Sequence, residues 1–119
     1  MGNYLPKHLA GDKISLVATA AITGGRLVGA TGAHAAADSK IVIGVAGHDA
    51  ASGTSVVVFH GGVQYPLAAA DIAAGALVKA AADGKVTTYT AGTDDAEELV
   101  GVALEAFLAD ATGPVKFFR

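Results

Sequence analysis

Three histidines, His34, His48 and His60, are the densest set of side chains in this 119-residue sequence that could hold a metal or move a proton. No two of them stand two or four residues apart, the spacings that put two imidazoles on one side of a strand or a helix. Each lies in or beside a glycine turn (Gly32 before His34, Gly47 before His48, Gly61 after His60) and is expected to be solvated. His48 and Asp49 with Ser52 have the residue types of a nucleophilic triad, but no Gly-x-Ser-x-Gly elbow surrounds the serine. The run from Gly47 to Thr54 has the outline of a phosphate loop. It carries five residues between its glycines where that loop has four, and no Lys follows Gly53, so a turn before a strand at Val56 is the expectation. Asp94-Asp95 and Glu97-Glu98 form the only charge cluster and read as a solvated loop rather than a cation site. With no Cys there is no thiol nucleophile and no thiolate metal site. The expectation is a chain with no catalytic residue, no metal and no cofactor.

The elements that would carry such residues follow from an internal repeat. Ile22 to Val28 matches Ile72 to Val78 at an offset of 50, and Ile43 to Ala46 matches Val100 to Ala103 at 57. Gly53 to Phe59 aligns with Gly113 to Phe118 at 60 and then 59, with one residue fewer in the loop. Order is kept throughout, so the chain reads as two similar halves, about 20–63 and 70–118.

The repeat also decides between helix and strand. Ala68 to Ala82 has the alanine content of a helix, but its counterpart contains Gly24-Gly25 and β-branched Ile22 and Thr23. Asp94 to Asp110 offers a capping-box pair, Asp94 with Glu97, and helical spacing in Leu99, Val102, Ala103, Ala106 and Phe107. Gly101 interrupts it, and the counterpart Lys40 to Val45 is β-branched. Both are read as strand or turn. Ile14, Leu16 and Ala18 alternate with polar neighbours, the mark of a half-buried strand. Val56 to Phe59 is continuously apolar and is expected to be covered on both faces. Asp83-Gly84 between Leu77–Lys79 and Lys85–Tyr89 suits a type I′ hairpin turn. The second half is longer, with 23 residues from Leu77 to Val100 against 16 from Leu27 to Ile43, which calls for an extra hairpin or loop. The expected fold is mainly β with little helix: a small single-domain β-barrel or β-clip of two pseudo-repeated halves, residues 13–119, preceded by an extended arm, residues 1–12.

Composition limits the partners. Hydrophobic residues make up 52 %, yet Ala supplies 27 of the 62, leaving 35 larger apolar side chains. Apolar burial scales with area, at ~25 cal/mol per Å², so a core this thin gains from burial between subunits. The net charge is −3 and no two Lys or Arg are adjacent, which argues against nucleic acid. The longest apolar stretch, Leu67 to Ala82, is broken by Asp71 and Lys79, so no membrane span is expected. The first eight residues lack an apolar signal region, and synthesis in a cytoplasm is the expectation.

The repeated blocks carry a likeness. The Ile-x-x-Gly-x-Leu-Val segment (Ile22 to Val28, Ile72 to Val78) and the Ile/Val-Gly-Val-Ala strand (Ile43 to Ala46, Val100 to Ala103) are two of its marks. The others are the Gly53-to-Phe59 strand running into Gly61-Gly62-Val63, the run Asp83 to Thr87 and the stretch Val100 to Ala106. Together they resemble the capsid decoration (cement) proteins of tailed bacteriophages, over about Lys13 to Phe118. The order of segments is similar to that of the lambda-type head decoration proteins, whose β-clip-like domain forms trimers. The resemblance implies a structural virion protein of a bacteriophage on the capsid exterior, made in the host bacterial cytoplasm. Bound to the major capsid protein, it would stabilise the shell without catalysis. The Ala33–Ala37 and Asp94–Glu98 loops fit no part of that pattern. Two other readings remain: a small-molecule or glycan-binding β module, which the absence of Trp disfavours, and another phage structural accessory domain.

Two contact sets are expected. Tyr4, Leu5 and Leu9 in the arm suit apolar pockets on the capsid, reached by strand addition. In the last strand Val115 and Phe117 face one side and Phe118 the other, so Phe118 is the expected oligomer contact of a homotrimer.

Overall fold

Where β-branched pairs and triplets are separated by Gly-rich turns, backbone hydrogen bonds are met by strand pairing rather than by helices. The computed structural model describes residues 13–119. Nine strands follow in order: β1 (Lys13–Val17), β2 (Leu27–Gly29), β3 (Val42–Ala46), β4 (Ser55–Phe59), β5 (Val63–Gln64), β6 (Leu77–Ala80), β7 (Val86–Thr88), β8 (Leu99–Ala103) and β9 (Val115–Phe117). Among the described residues the only helical pieces are single 3₁₀ turns at Ala82–Gly84 and Ala96–Glu98. The proposed arm with Tyr4, Leu5 and Leu9 lies outside the described residues.

The strands form two antiparallel sheets, ordered β1-β4-β3-β2 and β5-β9-β8-β6-β7. Strand for strand, the second sheet repeats the first and adds β7. One cross-strand row in the first sheet joins Lys13, Phe59, Val45 and Leu27. The equivalent row in the second joins Val63, Lys116, Val102 and Leu77. A register shift follows Val28 in the first sheet and Val78 in the second. The turn bonds repeat too: Ile22 and Ala50 exchange backbone bonds at 2.8 and 3.0 Å, as do Ile72 and Phe107. The equivalence thus runs from Lys13 to Phe59 and from Val63 to Lys116, with an offset of 50 through β2 and of 57 from β3 onward.

That register corrects the sequence alignment of the third block. Val58 matches Val115 and Phe59 matches Lys116, not the offsets of 60 and 59 read from composition. An Ala/Gly/Val-rich segment slides against its copy at little cost in similarity, whereas a ladder fixes one register. Two glycines confirm it. A Cβ on Gly44 would strike the carbonyl of Phe59 and the side chain of Val58. A Cβ on Gly101 would strike Lys116 and Val115 in the same way. Only glycine permits this crossing of one strand over its neighbour.

Other expectations hold or shift in detail. β1 alternates as read, with Ile14 and Leu16 half-buried and Lys13, Ser15 and Val17 exposed. β4 buries Val56 and Val58, but Val57 is half-buried and Phe59 exposed, so only one face is fully covered. The β6–β7 hairpin has Asp83 at φ 59°, ψ 32° followed by Gly84 at φ 72°, the two left-handed residues of a type I′ turn. It sits inside a wider loop closed by Ala81 N–H on the Lys85 carbonyl at 2.7 Å.

The core is unevenly shared. Ala18, Ile22, Val28, Ala46, Val56 and Val58 form a small cluster within the first half. Their counterparts Ala68, Ile72, Val78, Ala103 and Val115 lie in a larger cluster that also takes in Leu27, Ala35, Val42 and Val45 from the first half. The second half therefore covers the other face of the first sheet. Its hairpin tip seals the join: Gly84 N–H donates to the Ala35 carbonyl at 2.9 Å and the Arg26 guanidinium to the Asp83 carbonyl at 3.2 Å.

Volume is exchanged between equivalent sites. Ala50 and Val56 in the first half correspond to Phe107 and Gly113 in the second, and the Phe107 ring occupies the space a Gly113 side chain would need. Phe107→Ala is expected to lose about 3–5 kcal/mol and Gly113→Val at least about 1–3 kcal/mol. The double variant reproduces the first half's pair and should lose clearly less than the sum. Urea unfolding of the four proteins measures the coupling.

Candidate interaction surface

The residues with catalytic types are used locally. The His34 Nε2 accepts the Thr23 N–H at 2.9 Å. In His48, Nδ1 donates to the Asp49 carbonyl at 2.8 Å while Nε2 accepts the Val57 N–H at 3.2 Å. His34 thus ties two loops together and His48 ties its turn to β4, while His48 stays exposed as expected from the sequence. The Asp49 carboxylate accepts the Gly24 N–H at 2.8 Å instead of facing the His48 ring. The residue types of a triad are adjacent in sequence but are not wired as one. Ser52 is exposed in the turn before β4, and Gly53 takes a left-handed φ of 86° there. His60 Nε2 is buried with no partner among the described residues. No pocket and no cluster of metal-ligating side chains occurs among the described residues, and none of their helices is long and apolar enough to cross a membrane.

The acidic loop is the clearest departure from the sequence reading. Asp94 and Glu98 fold onto Lys79 of β6, which also meets Asp38 from the first half. The Lys79 amine lies 2.7 Å from Asp38, 2.8 Å from Asp94 and 3.8 Å from Glu98. The Lys79 and Glu98 side chains are only 14 % and 8 % exposed, so this is a mostly enclosed ion cluster rather than a solvated loop. Glu98 also accepts the Asp95 N–H at 2.9 Å, the reach-back of a capping box one residue later than the Asp94–Glu97 pairing read from sequence. Lys40 pairs with Asp95 at 2.6 Å, and the Arg119 guanidinium donates to the Lys40 and Glu97 carbonyls. The cluster therefore binds the first half, the second half and the last residue together. Lys79 was missed because a single Lys in an apolar run gives no signal until the register places it opposite the Asp38 and Asp94 loops.

Among the described residues, four of the eight exposed large apolar side chains (Val63, Tyr65, Leu104 and Phe118) gather on one face. In the second sheet, alternation puts Val63 and Tyr65 with Lys116 and Phe118, and with Val102 and Leu104, on the side away from the core. Tyr65 is 62 % exposed and Phe118 53 %, and Val63 and Leu104 are also exposed. Phe118 thus points outward, opposite to buried Val115 and Phe117. The sequence showed Phe118 alone. Val63, Tyr65 and Leu104 join it only through the strand order.

A family described as phage cement protein matches residues 9–117. The chain belongs to the phage cement protein family. Among solved structures it is similar to the N base of head fiber gp8.5 of bacteriophage phi29, at a TM-score of 0.71 and 23 % identity. That likeness covers 88 % of this chain and 92 % of the other, and it concerns the fold. No curated protein matches.

The ion cluster sets the pH response of this cement-family chain. Hydrogen bonds donated to Asp38 and then to Asp94 raise the Lys79 pKa well above 10.5, so its contribution is complete at neutral pH and is lost only as pH rises through that raised value. Asp94 is held below the ordinary 3.8 by the Lys79 amine and then by the Thr90 N–H, so its contribution is present above 3.8 and lost as pH falls through the lowered value. Lys79→Met leaves Asp94 and Glu98 enclosed without a counter-charge. Thermal melts should show the variant's midpoint lower by ~5 °C or more at pH 7. The gap should narrow below pH 4, where wild type loses the same interaction.

Proposed function

We propose that this protein is a structural virion component that binds the outer surface of a phage capsid through the major capsid protein and stabilises the shell, without catalysis. The observation that carries the reading is the family match over residues 9–117, nearly the whole chain. The fold shared with a part of a phage head fiber supports it, as does the exposed group of Val63, Tyr65, Leu104 and Phe118 on one face.

In this reading the protein acts as a homotrimer on the capsid exterior, with Phe118 among the contacts between copies, after synthesis in the host bacterial cytoplasm. Residues 1–12 form an arm that adds to a strand edge of the coat subunit, with Tyr4, Leu5 and Leu9 in apolar pockets. Ordering such an arm costs roughly 1–2 kcal/mol per residue. One arm binds weakly, and three on one particle act together by effective concentration.

Purified protein mixed with undecorated capsids should co-sediment at a copy number tied to capsid symmetry and should raise the temperature at which the capsids break. Absence of binding to capsids of the cognate phage would reject the reading. Deletion of residues 1–12 should leave the melting temperature of the free protein within about 2 °C, since the deleted residues precede both sheets, while weakening capsid sedimentation at least ten-fold. Full binding by the truncated protein rejects the arm, and loss of its fold assigns those residues to the domain.

A further inference from the structure

The repeat supplies an internal comparison for the outward face of the second sheet. Three positions on the corresponding face of the first sheet are Leu27, Val42 and Val45, and they are 0 %, 3 % and 6 % exposed. They are shut in because the second half of the chain lies over them in one continuous cluster. Their equivalents by strand register are Leu77, Leu99 and Val102. All three are apolar, and all three are only half-buried. Beside them Tyr65 and Leu104 are exposed. At the position equivalent to Leu104 the first half has Gly47, against which the ring of its own Phe59 lies. The Leu27, Val42 and Val45 part of the first sheet's face is thus closed by chain of the same fold. The second keeps the apolar residues of that face, and among the described residues its Lys79 end is covered by Asp38 and the Asp94–Glu98 loop, while Tyr65 and Leu104 stay exposed.

We propose that the outer face of the second sheet, centred on Tyr65, Leu104 and Val102, is the surface on which a second copy of this chain packs. The occupant is inferred from the molecule itself: the one partner already seated on the equivalent face is a half of this fold. The contact is head to tail. Within the chain, the cover over Leu27 and Val45 comes from the core and hairpin tip of the second half, not from that half's own outward face. A head-to-tail contact must close into a ring or continue as a filament, and a trimer closes it. The inference rests on the homotrimer reading above and assigns it a surface.

Tyr65 and Leu104 are exposed enough to be changed without entering the core, so Tyr65→Glu with Leu104→Glu is the informative variant. Val17→Glu, at an equally exposed apolar position on β1 of the other sheet, is the control. Circular dichroism first establishes that all three proteins share one fold. Sedimentation velocity across a range of concentrations, and mass measurement of protein released intact from capsids, then give the assembly state. Wild type and Val17→Glu should assemble alike, and the double variant should need at least about ten times the concentration, as expected when central anchors of an interface are removed. If wild type assembles and the double variant assembles equally well, this surface is wrong while the oligomer reading stands. If the double variant keeps its assembly state but loses capsid binding, the face docks on the coat protein and the proposal is overturned. If wild type is a monomer both free and on the capsid, the homotrimer reading falls and the interface with it.

Discussion

Everything in this molecule depends on one burial: Leu27, Val42 and Val45 of the first sheet closed off by the second half of the chain. The first half alone has a small core of mostly Ala and Val. The remaining apolar side of its sheet would face water, and a face of that size is unfavourable to leave wet. Placing the second half over it makes one domain of two similar sheets. The hairpin tip at Gly84 and the ion cluster around Lys79 are the polar fittings of the same joint. They satisfy the backbone and side-chain groups that the joint removes from solvent.

Much of this was legible in the residues. The repeat, the rejection of helix at Ala68–Ala82 and Asp94–Asp110, the alternation of β1 and the Asp83-Gly84 turn all follow from local patterns. Such patterns are local because backbone preference and side-chain alternation are local. The alignment of the third block was not legible, since Val56 to Phe59 and Val115 to Phe118 resemble each other in more than one register. The strand ladders and the close approach of Gly44 and Gly101 to the neighbouring strand distinguish them. The fate of the acidic loop was equally hidden. Asp94 and Glu98 look solvated in sequence because their counter-charge, Lys79, is supplied by a strand from another part of the chain.

The surface followed the same division. Period-two alternation turned Phe118 outward from Val115 and Phe117, and the structure has it so. Nothing in the sequence joined it to Val63, Tyr65 and Leu104, which share its face only because β5, β9 and β8 are neighbours in the second sheet. For a cement-family protein this matters more than any motif, since the chemistry of the turns is spent internally on His34, His48 and Asp49.

The pairing of β5 with β9 has a further effect on when the molecule can exist. Val63 and Gln64 are paired with Lys116 and Val115, in strands at opposite ends of the second half. On a ribosome the first half emerges early and can pair β1 with β4. The face containing Leu27 and Val45 must then wait for the second half, whose first strand has no partner until its last is made. Protein synthesis thus acts as a timer: β5 stays without its partner until Val115 to Phe117 has left the exit tunnel, and only then is the second sheet complete.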